Sequence, residues 1–284
     1  MNNIKLTVSD FKNLKNNSNP FIALTVYDFP TAQIIDQLNI PFALVGDSAS
    51  MVVYGYDNTI PINMEEMLLI TKAVSRGLKN TFLIGDMPFM SYQPSTEIAV
   101  QNAGKFVKEG KVDAIKLEGG TEYLTQILEI IKSGIPVMGH IGLKPQSVLK
   151  ESGYKIQGKN LKDAIKVYKD AIALEQAGVF AIVLEGVPEE LAQIITEKLN
   201  IPTIGIGAGK WCDGQIQVLH DILGLLGENV PKHSRAYINM KNMISDALLH
   251  YQSDVSNKMF PKNQNAVTMN ADTLSELKNK IENF

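Results

Sequence analysis

The sequence predicts an α/β fold of the (β/α)₈ barrel type, and three observations carry that prediction. Short runs rich in Val, Ile, Leu and Phe recur along the chain, each followed by a longer segment of helical period. Most runs follow a helix-ending signature, as in Asn39-Ile40-Pro41, Gly134-Ile135-Pro136, Ala177-Gly178 and Asn200-Ile201-Pro202. Glycine or asparagine stops a helix there, and proline fits where a strand begins. The runs also stop at polar residues. Continuous apolar strands alternating with helices imply a parallel sheet covered on both faces, and about eight such units close into a barrel. The rival is an open doubly wound sheet built from the same unit; the number of runs favours closure.

In chain order the predicted strands lie at 21–26, 42–45, 81–84, 113–117, 136–138, 180–184 and 203–206, with a weaker one near 217–219. Between them, a helix over 64–76 opens after Asn63, a side chain suited to an N-cap, and another over 96–109 begins with Thr96 followed by Glu97. Across 162–176 the apolar residues Ala164, Ile165, Val167, Tyr168, Ala171, Ile172 and Leu174 recur at helical spacing, so one face packs on a sheet. After Pro231 a helix is expected over 234–251. From Lys262 the chain is polar and Asn-rich, with a short amphipathic helix through Leu274, Leu277 and Ile281. The expected organisation is one barrel domain over 1–261, with an N-terminal segment and C-terminal helices, and a tail over 262–284.

Composition bounds the function. With 284 residues, 45% hydrophobic and 20% charged, the chain is an ordinary globule rather than a disordered or fibrous one. Lys+Arg 27 against Asp+Glu 30 leaves a net charge of −3 without a polybasic block, which excludes nucleic acid as the main partner. Arg76 and Arg235 are its arginines, so bidentate guanidinium clamps are scarce. Cys212, the single cysteine, allows neither an internal disulfide nor a Cys-rich zinc site. The 11 methionines are read as core filler. The N-terminal stretch has neither an apolar leader core nor an arginine-rich transit pattern, and no apolar run approaches the roughly 20 residues that span a bilayer. A cytoplasmic protein with no membrane partner is expected.

The predicted strands end on an unusually polar set: Tyr27 and Asp28, Asp47 and Ser48, Asp86, Lys116 and Glu118, His140, and Glu185. In a barrel the carboxyl ends of the strands converge on one mouth, where active sites are built. Any one of these residues alone reads equally as a helix cap or a surface ion pair; recurrence at strand after strand points to a site. Asp47, Asp86 and Glu118 offer hard oxygen donors without nearby cysteine or paired histidine, which suits Mg²⁺ better than Zn²⁺. Lys116 and Glu118, two apart, project to the same face of a strand, either as site residues or as an intrastrand ion pair. Glu185 closes an apolar run, where desolvation raises a carboxyl pKa and makes a better proton acceptor. His140 is either a ligand contact or a packed histidine satisfied by backbone. Gly205-Ile206-Gly207-Ala208-Gly209 is either a phosphate cradle or a tight turn; it has neither dinucleotide-fingerprint nor Walker spacing.

Taken in order, several strings closely resemble the ketopantoate hydroxymethyltransferase family over about residues 25–261. They are Val45-Gly46-Asp47-Ser48, Gly55-Tyr56-Asp57, Asp86-Met87-Pro88-Phe89 with Ser91-Tyr92-Gln93, and Lys116-Leu117-Glu118-Gly119-Gly120. They continue with Pro136 to Leu143, Pro145-Gln146-Ser147, and Ile204 to Gly209. The resemblance implies a barrel of the phosphoenolpyruvate/isocitrate lyase type and a homo-oligomer, usually a decamer of two pentameric rings. It implies transfer of a hydroxymethyl group from 5,10-methylenetetrahydrofolate to 3-methyl-2-oxobutanoate, giving 2-dehydropantoate on the route to pantothenate and coenzyme A. By motif position it implies one Mg²⁺ per subunit on Asp47, Asp86 and Glu118, some acting through water. It assigns Asp47, Ser48, Asp86 and Lys116 as oxoacid contacts, His140 as a further candidate contact, and Glu185 as the catalytic base.

Three positions depart from the family pattern: Ala49-Ser50 stands where Leu-Gly is common, and Gly186 follows the base where cysteine is frequent. None removes a ligand or the base. The alternatives are another Mg²⁺-dependent 2-oxoacid lyase or aldolase on the same barrel, a metal-free Schiff-base aldolase using Lys116, and a non-enzymatic binding barrel. Cys212 stands in Trp211-Cys212-Asp213, so the catalytic-cysteine motif of isocitrate lyases is absent.

Overall fold

Eight parallel strands pair in sequence order and β8 closes on β1 in a computed structural model that describes residues 5–15, 19–227 and 231–282. They are β1 (Phe21–Thr25), β2 (Phe42–Val45), β3 (Phe82–Asp86), β4 (Ala114–Glu118), β5 (Val137–Gly142), β6 (Ala181–Glu185), β7 (Thr203–Ile206) and β8 (Gly214–Gln217). The closed barrel is the predicted fold, and seven strands fall where the apolar runs lie. The eighth corrects the expectation at 217–219. Phe21, Ile22, Ala23 and Leu24 take Gly214 to Gln217 as register partners, while the Leu219 N–H is held by Thr25 Oγ1 at 3.0 Å and starts the turn Leu219–Ile222. Just past the strand, Val218 lines the cavity and Leu219 is buried, and only pairing with β1 separates such apolar residues from strand ones. β5 runs on to Gly142, past the expected 136–138, and carries His140 inside the sheet.

The helices follow from local chemistry. The Asn63 side chain accepts from the N–H groups of Glu65 and Glu66, and Glu66 bonds back to the Asn63 N–H, so a capping box opens Met64–Gly77. The helix Thr96–Lys105 is capped by Ser95 rather than begun by a Thr96 cap, and ends in a π-helical turn, Phe106–Gly110. Leu161–Ala177 buries Val167, Ala171 and Leu174 and stops at Gly178 in the left-handed region. Asp28 accepts from the Thr31 N–H and caps Phe29–Gln37, the ordinary role of a strand-end aspartate.

Alternation along each strand sorts side chains into two cores. One set faces the helices. The other fills the barrel interior: Phe21, Phe42, Phe82, Ile84, Ala114, Met138, Ala181, Val183, Ile204 and Ile216. The N-terminal segment, whose structure the sequence pattern leaves open, packs on this second set. Phe11 lies 5.0 Å from Phe82 and 4.8 Å from Phe180 between ring centroids, both edge-on, and 5.8 Å from Phe42. Lys15, nearly buried, holds Asp213 at 3.0 Å and donates to the Thr196 carbonyl. The amino-terminal end of the barrel is thus stoppered by aromatic packing and pinned by a buried ion pair.

Two compact units divide the chain, Met1–Tyr237 and Ile238–Phe284. The helix expected over 234–251 runs instead over Met240–Ser256, because the Asn239 side chain caps it by accepting the Asn242 N–H. It belongs to the second unit, along with the helix Ala271–Ile281, where the amphipathic stretch is expected. Among the described residues no helix is long and apolar enough to cross a membrane.

Phe11→Ala removes the stopper's central ring, and loss of a buried phenylalanine costs ~3–5 kcal/mol. Urea unfolding of the variant should show that loss as a lowered midpoint with an unchanged slope. A loss under about 1 kcal/mol would mean the segment does not support the barrel.

Candidate active site

The inward parity that is apolar at the stoppered end turns ionisable at the other. Phe82 and Ile84 lead to Asp86, Ala114 leads to Lys116 and Glu118, Met138 leads to His140, and Ala181 and Val183 lead to Glu185. Asp47 and Ser48 follow β2. All seven predicted site residues, Asp47, Ser48, Asp86, Lys116, Glu118, His140 and Glu185, line one cavity of about 550 Å³. Its wall also carries Met51, Leu143, Tyr154, Ile156 and Asp221.

Lys116 is the central cation. Its Nζ donates to both Asp86 carboxylate oxygens at 2.8 Å, with both side chains nearly buried. Asp86 Oδ2 also accepts the Asp47 backbone N–H at 3.1 Å. The Gln146 side-chain amide donates to Asp47 Oδ2 at 2.9 Å, and its backbone N–H donates to Glu118 Oε2 at 3.0 Å. The Tyr27 and Ser48 hydroxyls share a hydrogen bond of 2.8 Å. His140 stands between two carboxylates, with Nε2 3.2 Å from Glu185 Oε2 and Nδ1 3.6 Å from Glu118 Oε1. This puts it inside the charged cluster rather than in the packed core. Gly142 ends β5 at φ 94°, and a Cβ there would stand 2.2 Å from the Glu185 carbonyl oxygen, so only glycine lets β5 pass Glu185 this closely.

Four carboxylates around one lysine cannot all ionise without a large electrostatic cost. Burial, then the neighbouring Asp86, pushes the Asp47 carboxyl up to about 7. Burial, then Asp47, raises Glu118 well above the usual carboxylate range. Glu185 is pushed up to about 7 by burial, against the pull of Lys116. Burial opposes the charged form of Lys116, but Asp86, Glu118 and Asp47 outweigh it and raise its pKa. Burial and Lys116 hold His140 well below its usual range, so its imidazole is neutral.

As the side chains lie, no group of three or more His, Cys, Asp or Glu among the described residues stands ready to hold a metal ion. Asp86 is engaged by Lys116, and Gln146 occupies one oxygen each of Asp47 and Glu118. The donor chemistry nonetheless fits a hard divalent cation. Glu118 Oε1 is buried without a hydrogen-bond partner, and the raised carboxyls mark a deficit of positive charge.

Chemistry alone does not single out Gln146, Tyr92 and Gln93 in the sequence, since loop amides have no periodicity to betray them. Their signal is membership of the strings shared with the family. In the loop after β7, Gly207 lies at φ 62° and Gly209 at φ 76°, both in the region that favours glycine.

Residues 5–263 match the family described as ketopantoate hydroxymethyltransferase. A Dehalococcoides mccartyi protein named 3-methyl-2-oxobutanoate hydroxymethyltransferase is 50% identical over 275 residues, covering 97% of this chain and 99% of the relative. A Clostridium botulinum protein of the same name is 49% identical over 271 residues, covering 95% and 98%. Among solved structures, phosphonopyruvate hydrolase superposes with a TM-score of 0.60 at 11% identity, covering 98% of this chain and 96% of that one. The 2,3-dimethylmalate lyase described as a PEP mutase/isocitrate lyase superfamily member gives 0.54 at 14% identity, covering 98% and 96%. These structural likenesses speak to fold alone. The chain belongs to the ketopantoate hydroxymethyltransferase family and is an enzyme of that family.

Proposed function

We propose that the chain transfers a hydroxymethyl group from 5,10-methylenetetrahydrofolate to 3-methyl-2-oxobutanoate, forming 2-dehydropantoate on the route to pantothenate and coenzyme A. The observation that carries the reading is the cluster of buried Asp47, Asp86, Glu118 and Lys116 lining one cavity with Glu185. Asp47, Asp86 and Glu118 would hold Mg²⁺, some through water. When bound, that ion supplies a Lewis acid for the keto and carboxylate oxygens of the oxoacid.

The chain's own groups do the remaining work. Lys116, kept charged by its carboxylate neighbours, stabilises the negative charge that grows on the substrate as its branched carbon is deprotonated. Glu185, with its pKa near neutrality, accepts that proton. His140, neutral and 3.2 Å from Glu185, limits where the base's carboxylate can lie. Ser48, bonded to Tyr27, offers a hydroxyl to the oxoacid. A Schiff-base role for Lys116 is disfavoured, because an amine nucleophile needs a lowered pKa and this one is raised. We also propose that the protein works as a homo-oligomer, a decamer, in the cytoplasm.

Purified protein should form 2-dehydropantoate only with oxoacid, folate donor and Mg²⁺ all present, and EDTA should abolish the activity until Mg²⁺ is restored. Turnover that survives EDTA, with borohydride trapping of substrate on Lys116, would replace this reading with the metal-free one. Glu185→Gln should bind the oxoacid nearly as tightly while slowing exchange of its branched-carbon proton with deuterated water by about 100-fold or more. Exchange at the wild-type rate would move the base elsewhere. Because Glu185 must be ionised to accept a proton, wild-type exchange should rise with pH through about 7; a flat profile across that range would contradict the assignment.

A further inference from the structure

Gln146 has no role in the reaction as described, yet it bonds to groups on both sides of the carboxylate cluster. It is nearly buried, in the turn Pro145–Ser147 that follows β5. Its Nε2 donates to Asp47 Oδ2 and to the Met87 carbonyl, each at 2.9 Å. Its Oε1 accepts from Gln93 Nε2 at 3.2 Å and lies 3.0 Å from the Tyr92 hydroxyl, whose single proton is shared with the Glu118 carbonyl 2.9 Å away. Its backbone N–H reaches Glu118 Oε2 at 3.0 Å. Both amide hydrogens of the carboxamide are therefore used, and its oxygen is bonded as well. The Met87 carbonyl can only accept, so the amide has one admissible orientation.

We propose that Gln146 is a positioning residue that presets the two carboxylates Asp47 and Glu118 for a divalent cation; the proposal rests on the Mg²⁺ reading above. Its side chain holds one oxygen of Asp47 and its backbone N–H one oxygen of Glu118, which restrains both carboxylates. Glu118 Oε1 is left buried and unbonded. The same residue joins the loops after β2, β3 and β5 to the end of β4, so the cradle is held by four neighbouring strands. An amide suits the position because it donates without adding charge. A carboxylate there would add to the repulsion that already raises Asp47 and Glu118, and an apolar side chain would strand Asp47 Oδ2 and the Met87 carbonyl.

The test is titration of the purified protein with Mn²⁺ or Mg²⁺ in the presence of 3-methyl-2-oxobutanoate, by calorimetry or Mn²⁺ resonance, with thermal unfolding alongside. Loss of a partner that orients metal ligands costs about 10–100-fold in metal affinity. Gln146→Met and the isosteric Gln146→Glu should both shift the metal midpoint upward by that factor while still unfolding cooperatively, and raised Mg²⁺ should recover kcat in the Met variant. Tyr92→Phe, which removes the hydroxyl that touches both the amide oxygen and the Glu118 carbonyl, should shift the midpoint in the same direction by less and keeps the test open if the Gln146 variants fail to fold. A purely structural role would lower Tm and leave the metal midpoint of the folded protein unchanged, which would overturn the proposal. Absence of metal binding by the wild-type protein would overturn the Mg²⁺ reading itself, and the proposal with it.

Discussion

One lysine among four carboxylates is the constraint on which the site depends. Lys116 and Asp86 are both nearly buried, and removing either would strand the other's charge in the barrel, a cost of several kcal/mol in comparable cases. The pair neutralises only one of the acids. Burial, then the charge of neighbouring carboxylates, raises the carboxyls of Asp47 and Glu118, and burial raises Glu185. The site is short of positive charge, and its donors are hard carboxylate oxygens of the kind that suit a divalent cation. Burial, not that deficit, brings Glu185 to about 7, in the pH range where a carboxylate both accepts and releases a proton readily.

The barrel makes this arrangement possible by separating its two ends. Inward side chains alternate along each strand, so the residues two apart that pack around Phe11 at one end become Asp86, Lys116, His140 and Glu185 at the other. Aromatic packing and the Lys15–Asp213 pair close the first end, and the second carries the cavity. Stability and chemistry thus occupy opposite ends of the same strands.

The departures from the family pattern are accommodated locally. Ala49 is fully buried next to the Asp47-Ser48 pair, and the Ser50 hydroxyl donates to the Asn58 carbonyl at 2.7 Å, which ties down the loop that follows. Gly186 lies where a Cβ would stand 3.0 Å from that of Leu143, a cavity-wall residue. Glycine there leaves Leu143 in place beside Glu185.

Period and punctuation in the sequence determined the repeated βα unit, seven of the eight strands, and the identity of the polar strand ends, because burial on both faces of a parallel sheet leaves a continuous apolar run. Asp28 shows the limit of that reading: it shares the strand-end signature of Asp86 but uses its carboxylate in a helix cap. Tertiary structure alone decided which of these side chains meet. The bond from Gln146 to Asp47 spans 99 residues, the eighth strand is set by its register on β1, and Phe11 finds its three aromatic partners only once the barrel exists. Contacts of this kind depend on closure of the sheet, which brings distant loops to one point, and nothing in local propensity encodes where that point lies.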